Sequence, residues 1–433
     1  MKNLFKTILI GIYCLSVLSV QAQESMVLSL DSAINYATIH NKTLMNSKFA
    51  IDKSSQKIKE TISQGLPQIN ASIDYSNFLG AEASLQLNPA APPAVIEFSP
   101  TSNFKLSASQ LIFSGGYYVG IQLSKLAKTI TEQSYQKDEL NVKEQTTQSY
   151  YMVLASERIL NTLKENKTNV QVIYEKTKNL ANAGMIEQTD AKKLSIMVNS
   201  IDNAIKSSER QVEMAYNLLR LQLGLETDQL IKLSSGLDDI VQQYINQLAS
   251  IEVFNIQNNI DFKLLTIQGD IAKKSIQLTK ASNLPSLVAF YSYTEKIKKP
   301  AFDMTPKNVL GLTLNIPIFS GGQRYSQLNQ AKIDYNISEN SKELLSDQLS
   351  IQEKQLRYNY NNFLEQYLNQ KTNVDVAKEV LDKMDLKYQQ GVVSILELTS
   401  ANNDYLSAES NYTNILLQLL NAELALRKIN SNL

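Results

Sequence analysis

The chain has 433 residues, with 42 basic and 42 acidic side chains, 43% apolar residues, one Cys, one His and no Trp. Zero net charge gives no electrostatic grip on nucleic acid or on an anionic membrane surface. The length allows two or three domains of roughly 150 residues, but charged residues make up only 19% and the polar weight sits in Asn, Gln, Ser and Thr.

Residues 1–22 read as a secretory signal. Lys2 and Lys6 form a basic start, Ile8 to Val20 an apolar core, and Val20-Gln21-Ala22 supplies small residues at a cleavage site, so the mature chain is expected to start at Gln23. That core is too short to span a bilayer, and no later run reaches the roughly 18 apolar residues of a membrane helix. Any spanning must then be done by strands. Cys14 lies inside the core after Tyr13 rather than a small residue, which argues against a lipid-modified N-terminus. Removing the signal removes the only cysteine, and with it disulfides, thiolate catalysis and Cys-ligated metal. His40 sits in the polar helical stretch Thr38 to Lys42 and is expected to be a solvated helix residue. No catalytic, cofactor-binding or metal-ligating residue is expected.

Proline placement organises the rest. All nine prolines fall between Pro67 and Pro100 or between Pro285 and Pro317, and a helix interior is where proline costs most, about 3 kcal/mol. The two windows are therefore non-helical and the tracts between them mostly helical. A helix is expected over Ser29 to Ser63, before the first window. Within the windows apolar and polar residues alternate: Ile69, Ala71, Ile73 and Tyr75; Phe104, Leu106 and Ala108; Leu310, Leu312, Leu314 and Ile316. The period predicts strands at about 69–79, 103–113, 286–294 and 307–318, the length that crosses an outer-membrane hydrocarbon layer when tilted. The connections Gly80 to Ser102 and Glu295 to Pro306 read as surface loops. A soluble hairpin with one face on a core is the plainer alternative.

The helical tracts repeat. Phe113-Ser114-Gly115-Gly116 recurs as Phe319-Ser320-Gly321-Gly322, Leu66-Pro67 as Leu284-Pro285, and Gly184 as Gly391. The heptad series Val198, Ile205, Val212 and Leu219 maps onto Tyr405, Tyr412, Leu419 and Leu426. The mature chain thus reads as a duplication: a first repeat at 23–225 with a tip near 184, a strap at 226–257, and a second repeat at 258–433 with a tip near 391. Each long helix, Gly116 to Gly184 and Gly322 to Gly391, would run roughly 100 Å. Each can lie against two shorter ones stacked end to end, Ser29 to Ser63 with Glu187 to Gly224, and Asn258 to Asn283 with Ser394 to Asn430. The strap is expected at that joint. Narrow apolar seams on otherwise polar helices suit the wall of a water-filled tube or an elongated coiled-coil rod, and periodicity alone leaves both open. The Ser-Gly-Gly turns carry no following Gly-Lys-Ser/Thr, so a phosphate cradle is not expected; glycine there would serve positive φ.

Several of these segments resemble the TolC-type outer-membrane efflux proteins. They are Leu28-Ser29-Leu30-Asp31-Ser32-Ala33-Ile34, Leu66-Pro67, Gln110 to Gly116, Ile316 to Gln323, and Tyr388-Gln389-Gln390-Gly391 followed by Ile395 to Leu398. The resemblance implies a mainly α fold of duplicated long-helix hairpins forming a coiled-coil tunnel. It also implies a homotrimer in which each chain gives four strands to one 12-stranded outer-membrane barrel, with the tunnel in the periplasm. Four strands are too few to close a barrel, so trimerisation also follows physically. The implied function is a passive exit duct of a tripartite efflux or type I secretion system. The implied partners are a periplasmic adaptor protein, an inner-membrane transporter of RND or ABC type, and outer-membrane lipid, with no cofactor and no nucleic acid.

Residue by residue, Gly184 and Gly391 match the adaptor-docking tips, and Pro67, Gly115, Gly116, Pro285, Gly321 and Gly322 match the strand–helix turns. Asp190 and Glu397 match gate positions, with Thr189 and Tyr388 as latch partners. Where relatives carry a second aspartate and an arginine latch, this chain has Ser400 and Val393. Asp190 and Glu397 read equally as first-turn carboxylates that complement a helix dipole. The leading expectation is a non-enzymatic efflux duct. Its competitors are an elongated structural coiled-coil protein of the envelope and an envelope hydrolase using clustered carboxylates.

Overall fold

A computed structural model of the chain describes residues 26–86, 93–247, 253–299 and 305–433. The expected signal segment, including Lys2, Lys6 and Cys14, lies outside these described residues, as do parts of the expected 80–102 and 295–306 loops and of the strap.

In chain order the elements are β1 (Met26–Leu28), α1 (Leu30–His40), α2 (Lys42–Ser63), β2 (Gln68–Ser76), β3 (Glu82–Leu85), β4 (Ala94–Glu97), β5 (Thr101–Ser114), α3 (Gly115–Asn182), α4 (Gln188–Leu223), β6 (Ile231–Leu233), α5 (Leu237–Gln247), α6 (Ile260–Ala281), β7 (Ser286–Lys298), β8 (Asn308–Asn315), α7 (Gln323–Gln389) and α8 (Ile395–Ile429). They divide into two compact units. One comprises the described residues within Met1–Ser47, Tyr135–Ile260 and Ser346–Leu433, the other those within Lys48–Ser134 and Asp261–Leu345.

The second unit holds a four-stranded antiparallel sheet in the order β2-β5-β7-β8. Prolines bound it as expected: Pro67 stands just before β2 and Pro285 just before β7. Strand lengths depart from the expectation. β2 stops at Ser76 and β7 runs on to Lys298. Part of the first connection folds into a hairpin of its own, β3 against β4. The two Gly-Gly turns also differ. Gly321 and Gly322 have φ of +57° and +85°, whereas Gly115 and Gly116 open α3 without positive φ. At Gly115 the constraint is space: a Cβ would stand 2.8 Å from Leu284 Cδ1 and 2.9 Å from the Ala281 carbonyl oxygen. One sequence motif thus answers a conformational need in the second half and a packing need in the first.

The first unit is helical around two apolar clusters. The larger joins Ala33 and Ala37 of α1, Tyr150 and Val153 of α3, Leu219 and Leu223 of α4, Leu237 and Val241 of α5, and Leu416 and Leu420 of α8. The smaller joins Leu160, Val170 and Ile173 of α3, Leu194, Val198, Ile201 and Ile205 of α4, and Ile395 and Leu398 of α8. The predicted heptad of α4 is therefore its seam, each fully buried Leu or Val contributing about 1.5–3 kcal/mol. The strap segment supplies β6, which pairs in parallel with β1, and α5, whose apolar face enters the larger cluster.

The expected helix over 29–63 is two helices. Asn41 takes an extended backbone, φ −62° and ψ 128°. Its Oδ1 accepts from the Thr43 and Leu44 amides, and its Nδ2 donates to the Gln222 carbonyl at 2.7 Å. Asn ends a helix readily because its amide competes with the backbone for such bonds. This elbow receives the end of α4, where Gly224 lies against the His40 carbonyl with no room for a Cβ. At the other joint Asn259 Nδ2 donates to the Ile429 carbonyl at 2.9 Å. His40, at the end of α1, is exposed and stacks on Tyr36 with ring centroids 4.0 Å apart.

Candidate tips, gate and membrane sheet

Both long helices end in the same turn. Gly184 donates to Ala181 O and Met185 to Leu180 O; Gly391 donates to Tyr388 O and Val392 to Lys387 O, all at 2.9–3.0 Å. Gly184 and Gly391 each have φ +73°. This paired bonding closes a helix with a left-handed residue, which glycine adopts without a Cβ clash. The residue after each glycine is apolar and open to solvent, Met185 at 71% and Val392 at 67% exposure. Sequence reasoning did not single out these two; the signal available was an apolar side chain immediately after each tip glycine.

After the tips, α4 and α8 begin differently. Ser394 caps α8: its Oγ accepts from the Glu397 amide at 3.3 Å, while Glu397 Oε2 accepts from the Ser394 amide at 2.7 Å and its hydroxyl at 2.9 Å. These bonds hold the Glu397 carboxyl below its ordinary pKa. Glu397 is therefore the far member of a capping box. Glu187 caps α4 without a side-chain bond.

The expected latch is wired otherwise. Thr189 Oγ1 donates to Glu187 Oε2 at 2.8 Å, and the Tyr388 hydroxyl pairs with Thr177 Oγ1 at 3.3 Å rather than with Thr189 or Asp190. The physical reason is position: Thr189 is exposed in the first turn of α4, where its neighbour is the capping Glu187, while Tyr388 is half-buried beside α3. Asp190 and Tyr388 still share the walls of a cavity of about 480 Å³ with Thr177, Lys193, Gly391 and Val393; Glu397 and Thr189 are not in it. Burial pushes the Tyr388 phenol up, and the charge of Asp190 adds to the shift. Val393 and Ser400 place no charge here. Among the described residues no group of His, Cys, Asp and Glu is arranged to hold a metal ion.

The sheet has two unlike faces. Ile69, Ala108, Tyr291 and Leu310 stand in register across the strands, followed by Ala71, Leu106 and Tyr293. On the other face Asn70, Ser107 and Ser292 align and meet Val309 of β8, followed on one side by Ser72, Lys105 and Thr294 and on the other by Ser109, Phe290 and Gly311, so this face is the more polar one over β2 and β5. The apolar side chains are open, with Ile69 and Ile73 at 69% and Leu310 at 81% exposure. Both outer strands, β2 and β8, lack a neighbour on one side among the described residues. No described helix is long and apolar enough to cross a membrane. An apolar face and two open edges are what one segment of a closed barrel presents.

A family model described as Outer membrane efflux protein matches residues 33–225 and 255–430. The Outer membrane protein TolC of Escherichia coli K12 is 24% identical over 451 residues, covering 99% of this chain and 87% of that protein. Among solved structures, CusC aligns with TM-score 0.73 at 17% identity, over 95% of this chain and 92% of that one. The Campylobacter jejuni CmeC outer membrane channel aligns with TM-score 0.71 at 17% identity, over 93% and 85%.

Proposed function

This chain belongs to the outer membrane efflux protein family, and on that premise we propose that it is the outer-membrane exit duct of a tripartite efflux or type I secretion system. It is a passive channel, not an enzyme, and it resides in the outer membrane with its helices in the periplasm. The observation that carries the reading is the four-stranded sheet with one apolar face and two unpaired edges. Three such sheets, joined β2 to β8, make a closed 12-stranded barrel and leave no edge in lipid. An envelope rod has no use for such a sheet.

The tips at Gly184 and Gly391 serve as the docking end for a periplasmic adaptor, with Met185 and Val392 as apolar contacts. An inner-membrane transporter of RND or ABC type selects the cargo and supplies the energy. Asp190 and Tyr388, across one cavity between the two hairpins, hold the closed end, and Glu397 contributes as the cap of α8. The test is purification from outer membranes followed by recording in planar bilayers. A detergent-soluble homotrimer that conducts is expected. A periplasmic monomer that never conducts would overturn the reading.

A further inference from the structure

One end of the sheet joins the helices and the other points away from them. β2 and β7 leave α2 and α6, and β5 and β8 return to α3 and α7, so Ser76, Thr101, Lys298 and Asn308 mark the far rim. With the helices in the periplasm, that rim lies at the outer leaflet.

Pairing breaks step at this rim. From Leu111 to Asn103, β5 follows β7 in a single register that ends with Asn103 opposite Lys296. The next pair is Ser102 with Lys298, so Ile297 is an extra residue on β7. Such a bulge re-aims the side chains around it. In an unbroken register Lys298 would follow Thr294 and Lys296 on the more polar face. The bulge turns it to the apolar face instead, because Ser102 alternates onto the side of Phe104 and Leu106 and stands opposite Tyr75 of β2.

The outermost row of the apolar face is therefore Tyr75, Ser102 and Lys298, a phenol, a hydroxyl and an ammonium on neighbouring strands roughly 4.8 Å apart. All three can donate hydrogen bonds. Tyr75 and Lys298 are exposed, as is the following Lys299. The one carboxylate of these strands on this face, Glu295, is already engaged: Lys307 Nζ lies 2.8 Å from it and the Tyr293 hydroxyl donates to it at 2.7 Å. Asp74 stands on the other face, in the row of Asn103 and Lys296. Lys298 and Lys299 thus add two positive charges beside a neutral pair, although the whole chain is neutral. Inward of this row Phe104, Leu106 and Tyr293 continue the apolar face.

A row of donors with positive charge at the edge of a hydrocarbon-facing surface fits an anionic headgroup whose chains lie along that surface. We propose that Ser102 and Lys298, flanked by Tyr75 and Lys299, bind the phosphate of a phosphorylated outer-leaflet lipid, and that the Ile297 bulge is what aims Lys298 at it. The inference rests on the efflux-channel reading. Free phosphate shares the headgroup's chemistry but would leave the apolar rows unused, and the test separates the two.

Full-length trimers in detergent are titrated with lipid A, with its dephosphorylated form and with inorganic phosphate, and bound lipid is counted by native mass spectrometry. The parent should hold lipid A about tenfold more tightly than the dephosphorylated form, and millimolar inorganic phosphate should not displace it. Lys298→Gln should weaken lipid A binding about fivefold. Lys296→Gln removes the same charge from the polar face and should bind like the parent. Deleting Ile297 keeps every charge, returns Lys298 to the polar face and should cost as much as Lys298→Gln; SDS-resistant trimers show which variants assemble. Equal binding of the two lipid forms, or equal binding by Lys298→Gln and Lys296→Gln, overturns the site. Displacement by inorganic phosphate overturns the lipid as its occupant, and parental binding by assembled trimers lacking Ile297 overturns the role of the bulge. If the parent itself is not recovered as a trimer from outer membranes, the channel reading fails; trimers that form but do not discriminate the lipids sink the site alone.

Discussion

Glu397 illustrates how one carboxylate is fixed by its neighbours. Its Oε2 accepts two bonds from Ser394, so the group is engaged before any assembly is considered. Its pKa is lowered on folding, and a depressed carboxyl adds stability above the unfolded value, near 4.3, that disappears as pH falls through the folded one. No contribution to pH dependence is expected from it between pH 6 and 8, with loss setting in below about pH 4. Glu397→Gln keeps an acceptor for the Ser394 amide and should open like the parent, whereas Asp190→Asn should raise the open fraction. Parallel bilayer recordings of the two variants check this, and equal effects would return Glu397 to the gate. Much of this was legible: two glycines after long periodic helices announced left-handed turns, and the Ser-x-x-Glu spacing was present in the sequence. What was not legible depends on distant chain. Asn41 breaks its helix because Gln222 offers a carbonyl, and Tyr388 finds Thr177 across 211 positions of sequence.

At the scale of elements, alternation told which side of β2, β5 and β8 is apolar, because a strand has only two sides and a period of two assigns them; β7 shows no such alternation in the sequence. Nor could alternation tell lengths. β7 runs on to Lys298 because its end faces Ser102 of the similarly long β5, a pairing between residues almost two hundred positions apart. The β3–β4 hairpin escaped notice because four-residue strands in an Ala- and Pro-rich stretch carry too little pattern to detect. The assignment of faces has a direct consequence. Ile73 and Ser72 are neighbours on opposite faces of β2, and arginine on a lipid face costs about 2–4 kcal/mol near the bilayer midplane. Ile73→Arg should therefore reduce the trimer recovered from outer membranes severely, while Ser72→Arg, on the water side, should be recovered at the parental level. Quantitative blotting of membrane fractions checks it; equal recovery would mean the sheet has no lipid face.

For the whole molecule the decisive surface is one that a single chain leaves uncovered. On α7, Ile337, Leu344, Ile351 and Tyr358 recur every seven residues at 58%, 56%, 69% and 69% exposure. A heptad stripe of large apolar side chains is the pattern of a coiled-coil seam, and this one lies open to solvent among the described residues. If the adjoining chain of the proposed trimer covers the stripe, assembly is driven along the helices as well as through the barrel edges. Each side chain of that size adds about 1.5–3 kcal/mol when buried, and three-fold symmetry counts every position three times. Ile351→Glu puts a charge into the seam at each of the three interfaces, while Gln352→Glu puts the same charge one residue away from it. Heating trimers in SDS before electrophoresis should dissociate the Ile351 variant at a clearly lower temperature than the parent, and the Gln352 variant at the parental one. Equal resistance in both variants would place the stripe in water and leave the barrel strands alone to hold three chains together.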